Sequence, residues 1–151
     1  MNQTINNNIQ SEIVKIDDLM DAAKSLLDAF ISGVYGFEKT TAIAWTLHCY
    51  YTGIEKILSL IYQDLQMKLE KSSDWHKTLL GFAFEQNRTK GRLFKVELRS
   101  LLIDYLKFRH RVRNIYPHEL LCHKMLHLVI NLQDNWQKVK HSFIDFIEDS
   151  K

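Results

Sequence analysis

An all-α fold, an antiparallel bundle of four to five helices, is predicted by three features of this sequence. Apolar residues recur at three- and four-residue spacing along most of the chain, and no segment alternates as a half-buried strand does. Turn formers are scarce, with five glycines and one proline in 151 residues. With 46% hydrophobic residues the chain has enough apolar surface for one core, and its length suits a single domain.

The first dozen residues, MNQTINNNIQSE, are polar and Asn-rich. They are expected to fray as a flexible tail (1–12) ahead of a single helical domain (13–151). Ile16, Leu19, Met20, Ala23, Leu26, Leu27, Phe30 and Val34 trace the buried stripe of a first helix, which should stop near Gly33 and Gly36. A second helix of about eight turns, from Lys39 to around Lys71, buries Ile43, Leu47, Tyr50, Ile54, Ile57, Leu58, Ile61 and Leu65. Ser73 or Asp74 is placed to cap a short third helix, which ends at the polar turn NRTKG. The fourth packs through Leu98, Leu101, Leu102, Tyr105, Phe108 and Val112, and Pro117 should break it at Tyr116. A fifth begins near His118 or Glu119 and buries Met125, Leu128, Val129, Leu132, Trp136, Val139, Phe143 and Phe146.

Bulk charge says little about partners, since twenty Lys and Arg face eighteen Asp and Glu for a net charge of +2. Attraction to nucleic acid therefore has to come from local clustering, and the densest cluster is KFRHRVRNIYPHEL, Lys107 to Leu120. There is no basic start followed by a continuous apolar run and no apolar stretch that could span a bilayer, so a cytoplasmic protein is expected. Cys49 and Cys122 read as reduced core thiols. His123 and His127, even with His118 or Cys122, lack the further ligands of a metal site, and no metal or cofactor is expected. His48 reads as a core histidine with a hydrogen-bond partner, and Tyr50 and Tyr51 as packing residues whose hydroxyls reach the bundle edge. Glycine-rich phosphate loops and the Gly-x-Ser-x-Gly elbow are missing.

In the basic stretch, Arg109, Arg113 and Tyr116 are spaced four and three apart, and His110 and Asn114 form a second pair four apart. Two guanidiniums at that spacing repel unless an anion lies between them. It could be a carboxylate of another helix, with Asp104 or Glu97 as candidates, or a phosphate, which the planar donor fork of Arg suits.

FRHRVRNIY resembles the signature of the HEPN superfamily, and of HepT-type toxins in particular: Arg, four residues, His, one residue, Tyr. Two registers fit. In the preferred one Arg109 and Tyr116 are the motif arginine and tyrosine, and Asn114 stands at the histidine position. In the other, Arg113 and His118 have the right separation, but Leu120 stands where the tyrosine should be. LHCYYTGIEKIL (Leu47 to Leu58) and DWHKTLL (Asp74 to Leu80) resemble the same branch in the expected order, so the likeness covers most of the chain.

The resemblance implies a metal-independent endoribonuclease toxin acting on RNA, for example tRNA. It also implies a homodimer whose two motifs meet in one cleft, and a minimal nucleotidyltransferase antitoxin that transfers AMP to the motif tyrosine, Tyr116. RNA cleavage through the 2′-hydroxyl needs a proton-transferring group and a cation for the crowded phosphorane. Arg109 and Arg113 can supply the cation, but the amide of Asn114 cannot move a proton. His110, one turn earlier, is expected to take that role, with His118 second. The alternative is a catalytically inactive HEPN module that binds RNA, nucleotide or the nucleotidyltransferase. A helical interaction protein without nucleotide chemistry is a third reading.

Overall fold

The computed structural model describes residues 1–70, 72–87 and 91–150. Six α-helices carry the fold: α1 (Gln3–Ile31), α2 (Phe37–Asp64), α3 (Trp75–Phe82), α4 (Arg99–Val112), α5 (Cys122–Ile130) and α6 (Leu132–Glu148). Two-residue strands, β1 (Gln86–Asn87) and β2 (Gly91–Arg92), pair antiparallel between α3 and α4. Residues 88–90, the centre of the expected NRTKG turn, lie outside the described residues.

α1 and α2 form the frame. The amide of Asn2 donates to Asp64 Oδ1 across 2.9 Å, so the start of α1 lies at the end of α2 and the pair is antiparallel. Gly53 lets them approach closely, because a Cβ there would come within 2.8 Å of Ile16 Cδ1. α2 is the central helix and packs on α1, α3, α4 and α5. α6 closes the bundle against α1: Asp17 accepts from Trp136 Nε1 at 2.7 Å and pairs with Lys140 at 2.6 Å. Trp136, Tyr50, Tyr105, Phe94 and Phe143 fill the centre with almost no exposure. Burying side chains of this size contributes about 1.5–3 kcal/mol each.

The predicted stripes match the buried faces, with Val34 the exception: it lies past the end of α1 and is exposed. Four boundaries differ from expectation. Residues 3–12 are the first turns of α1: Asn2 caps the helix by accepting from the Thr4 amide at 2.8 Å, and Ile9 is fully buried. The stripe thus starts earlier than composition suggests. α2 ends at Asp64 instead of near Lys71, itself outside the described residues. Gln66 adopts a left-handed φ of 55°, and the Met67 amide turns back to the Tyr62 carbonyl. Gly33 ends α1 in the same way, a stop the sequence advertises, whereas at Gln66 no glycine marks it.

The residue before α3 is Asp74, but its side chain makes no capping hydrogen bond. The fifth predicted helix is two. A 3-10 turn at Pro117–Glu119 precedes α5, and Asn131 separates α5 from α6, its side chain donating to the His127 carbonyl at 2.6 Å. An asparagine amide that competes for helix carbonyls in this way favours a break.

Candidate nucleic-acid site at Arg109

α4 brings Arg109 to the inner seam of the bundle, opposite Thr52 and Glu55 of α2. Its Nε stands 3.0 Å from Glu55 Oε1 and donates to Thr52 Oγ1 at 3.1 Å. The other carboxylate oxygen of Glu55, Oε2, is hydrogen-bonded to Nδ1 of His76 at the start of α3. Three helices therefore meet in one chain of polar contacts, His76–Glu55–Arg109. The carboxylate that answers Arg109 comes from α2, not from Asp104 or Glu97. Asp104 instead faces His127 at 3.6 Å.

Among the described residues both polar contacts of Arg109 use Nε, which leaves its terminal amino groups for an anion. Arg109 also lies on the boundary of two grooves. One, of about 460 Å³, runs between α1 and α2 and is lined by Ser11, Lys15, Thr52, Lys56, Gln63 and Trp75 among others. The second, of about 800 Å³, lies between α3 and α4. Lys77, Arg99, Lys107, Arg109 and Arg111 line it with His76 and His110, against a single carboxylate, Asp74. Its floor is apolar: Leu80, Phe84, Ile103 and Leu106, with the Arg99 guanidinium 5.7 Å above the Phe84 ring centre. A phosphate chain suits the cations, and a planar base suits the floor.

The other expected residues fall differently. His110 is exposed and shares the second groove with Arg109. Arg113 is the C-cap of α4, and Asn114, Tyr116 and His118 lie beyond the helix, so the expected helical face does not continue past Arg113. The physical reason is local: the Asn114 side chain donates to the His110 carbonyl at 2.8 Å, and its backbone amide bonds the Arg111 carbonyl. Arg113, Asn114, Tyr116 and His118 line neither groove at Arg109. Tyr116 is 71% exposed, stacks on His118 and leads into a turn held by its amide's hydrogen bond to Glu119.

His48 is not the satisfied core histidine expected. Its Nδ1 is buried without a hydrogen-bond partner, and its ring stacks on the exposed ring of Trp45. Burial, then the nearby charges of Arg109 and Arg113, push its pKa below the ordinary histidine value. His48 thus feels the positive charge of both arginines of the basic stretch. Tyr50 and Tyr51 do not reach the bundle edge either, since both are fully buried. The Tyr50 hydroxyl donates to Asn135 Oδ1 at 2.7 Å, whereas the Tyr51 hydroxyl has no partner. Burial drives both phenols well above the usual tyrosine range; the Glu55 charge adds to the effect at Tyr51. Both cysteines are free thiols, Cys122 lying 3.2 Å from Thr40 Oγ1, and burial raises the pKa of Cys49.

Glu55 and His76 are the site residues that reading for function missed. Each sits inside a segment whose likeness to the HepT branch was visible, GIEKIL and DWHKTLL, but neither segment by itself says that the two side chains touch. Among the described residues no group of three His, Cys, Asp or Glu side chains could hold a metal ion, and no helix is long and apolar enough to cross a membrane. No curated protein and no solved structure matches the chain. A family model described as "HepT-like protein" matches residues 42–150, a span that holds Glu55, His76, Arg109 and Tyr116. On that match, the chain belongs to the HepT-like family of the HEPN superfamily.

Proposed function

We propose that the protein is a HepT-like toxin, a metal-independent endoribonuclease that binds RNA across the α3–α4 groove and is silenced by a partner nucleotidyltransferase. The observation that carries this reading is Arg109: clamped at Nε by Glu55 and Thr52, it keeps its terminal amino groups for a phosphate at the end of a basic groove. A fixed guanidinium is what a phosphorane needs, because it stabilises the added charge without reorganising. The groove's cations would draw in the polyanion, and its apolar floor would take an unpaired base, as expected for tRNA loops.

Silencing falls on Tyr116. Its ring is the most exposed of the large apolar side chains, so a modifying enzyme can reach it. An adenylated tyrosine adds negative charge just beyond the end of α4, where it would repel an approaching RNA backbone. The same reading has two copies meeting with their Arg109–Arg113 faces together, and the exposed Trp45 beside His48 supports such a contact.

Asn114 favours a second reading, a module that binds RNA, nucleotide or the nucleotidyltransferase without cutting, because its side chain is tied to the His110 carbonyl and its amide cannot act as an acid or base. Expression in a bacterial host separates the two. The toxin reading expects growth arrest with new 5′-hydroxyl RNA ends, both abolished by Arg109→Ala. Persistent RNA binding without cleavage selects the module. Incubation with the neighbouring nucleotidyltransferase and ATP should add one AMP to the wild type and none to Tyr116→Phe; an unmodified wild type counts against the antitoxin model.

A further inference from the structure

We infer that His76, held by Glu55, is the proton-transferring residue of this site and takes the role that Asn114, at the motif's histidine position, cannot perform. The inference rests on the ribonuclease reading above and names the group that reading leaves open.

Three features single out His76. Its Nδ1 is hydrogen-bonded to a carboxylate whose side chain is only 5% exposed. Donation from Nδ1–H to Glu55 fixes the tautomer, so Nε2 is the ring nitrogen left for a substrate. The ring is also held from the side, packed against Trp75 with ring centres 3.6 Å apart. Finally, the same carboxylate holds Arg109, so the base and the phosphate-binding cation are placed by one group. Histidine, carboxylate and guanidinium are thus fixed relative to each other before substrate arrives, which is what orientation contributes to catalysis.

Position agrees. Arg109 lines both grooves, while Trp75 lines one and its neighbour His76 the other. Arg109 and the Trp75–His76 pair therefore stand on the ridge between them. A strand lying along both grooves would present one phosphodiester to that ridge. The rival imidazoles lack this support. His110 is exposed on the groove wall, and among the described residues no carboxylate pairs with its ring. His48 has its Nδ1 buried and lines neither groove.

The step balances without a co-reactant. Nε2 of neutral His76 accepts the proton of the ribose 2′-hydroxyl as O2′ bonds to phosphorus. The Glu55 carboxylate lies beside the imidazolium so formed, and the Arg109 amino groups take the developing charge of the phosphorane. The bond from phosphorus to O5′ then breaks. The proton returns from His76 to that oxygen, directly or through water, leaving a 2′,3′-cyclic phosphate and a 5′-hydroxyl. Glu55 is a positioning residue in this scheme, and His76 and Arg109 touch the reacting atoms.

The test uses the purified full chain, total RNA as probe, and the release of 5′-hydroxyl ends as the readout. His76→Asn keeps an amide donor near the place of Nδ1–H, so the contact with Glu55 can persist while proton transfer is lost. Its cleavage should fall by about 10²- to 10⁴-fold, the usual weight of a general acid–base group. His76→Ala should fall equally and recover with added imidazole, a response that a merely structural histidine would not give. His76→Asn cleaving at the wild-type rate while Arg109→Ala is inactive overturns the role of His76 and leaves the ribonuclease reading standing. Loss in both His76 variants with no rescue by imidazole overturns it too. A wild type that leaves RNA intact removes both readings together.

Discussion

Glu55 of α2 and Arg109 of α4 face each other at 3.0 Å with side chains only 5% and 12% exposed, so the charge pair that builds the candidate site also lies in the seam of the bundle. Removing one partner strands the other charge away from water. Glu55→Ala and Arg109→Ala should each destabilise the protein by roughly 3–5 kcal/mol. The double variant Glu55→Ala/Arg109→Ala should lose much less than the sum of the two single changes. Urea denaturation of the four proteins checks this; additive losses would show that the two groups do not depend on each other.

Tyr50 and Tyr51 are adjacent, equally buried and opposite in hydrogen bonding. Tyr50→Phe removes a donor to Asn135 and should cost about 1–2 kcal/mol. Tyr51→Phe removes a hydroxyl without a partner and should be neutral or stabilising by about 1 kcal/mol, since a buried unsatisfied polar group is a cost to the folded state. Thermal unfolding should therefore show a lower midpoint for Tyr50→Phe and an unchanged or higher one for Tyr51→Phe.

His48 makes stability depend on pH. Its folded pKa is lowered by burial first and by Arg109 and Arg113 next, from an ordinary value of 6.5. Between the lowered folded value and 6.5 the unfolded chain binds more protons than the native one, so stability rises with pH through that window and is lost on acidification. His48→Gln should flatten this part of the profile. Unfolding midpoints of wild type and variant, compared from about pH 8 down to about pH 5, measure it, and parallel profiles would argue against it.

Trp45 is 64% exposed on the α2 face that carries His48. If two copies meet there, Trp45→Asp should shift the protein from dimer to monomer with its helical content unchanged. Sedimentation velocity reads the result; a wild type that is monomeric at every concentration would remove the two-fold arrangement.

Much of the fold is legible because helix burial is periodic. The stripe from Met125 to Phe146 can be read off the chain and every member of it is buried, although Asn131 divides the helix that carries it. Local exceptions are less visible. A left-handed glutamine ends α2 where composition offers no glycine, and an N-terminal segment rich in asparagine is helical because Ile9 and Ile13 extend the buried stripe. Arg109 was readable as a site residue from its place in a short motif. Its partners were not, because Asp104 and Glu97 are near in sequence whereas Glu55 is near in space.

The sequence by itself determined the helical class, the buried stripes, the family and the arginine on which the site depends. Tertiary structure alone decided that Glu55 holds both His76 and Arg109. That decision could not be local: the three residues lie on α2, α3 and α4, separated by 21 and 33 positions along the chain. Only the packing of α3 and α4 against α2 brings an imidazole and a guanidinium to the two oxygens of one buried carboxylate.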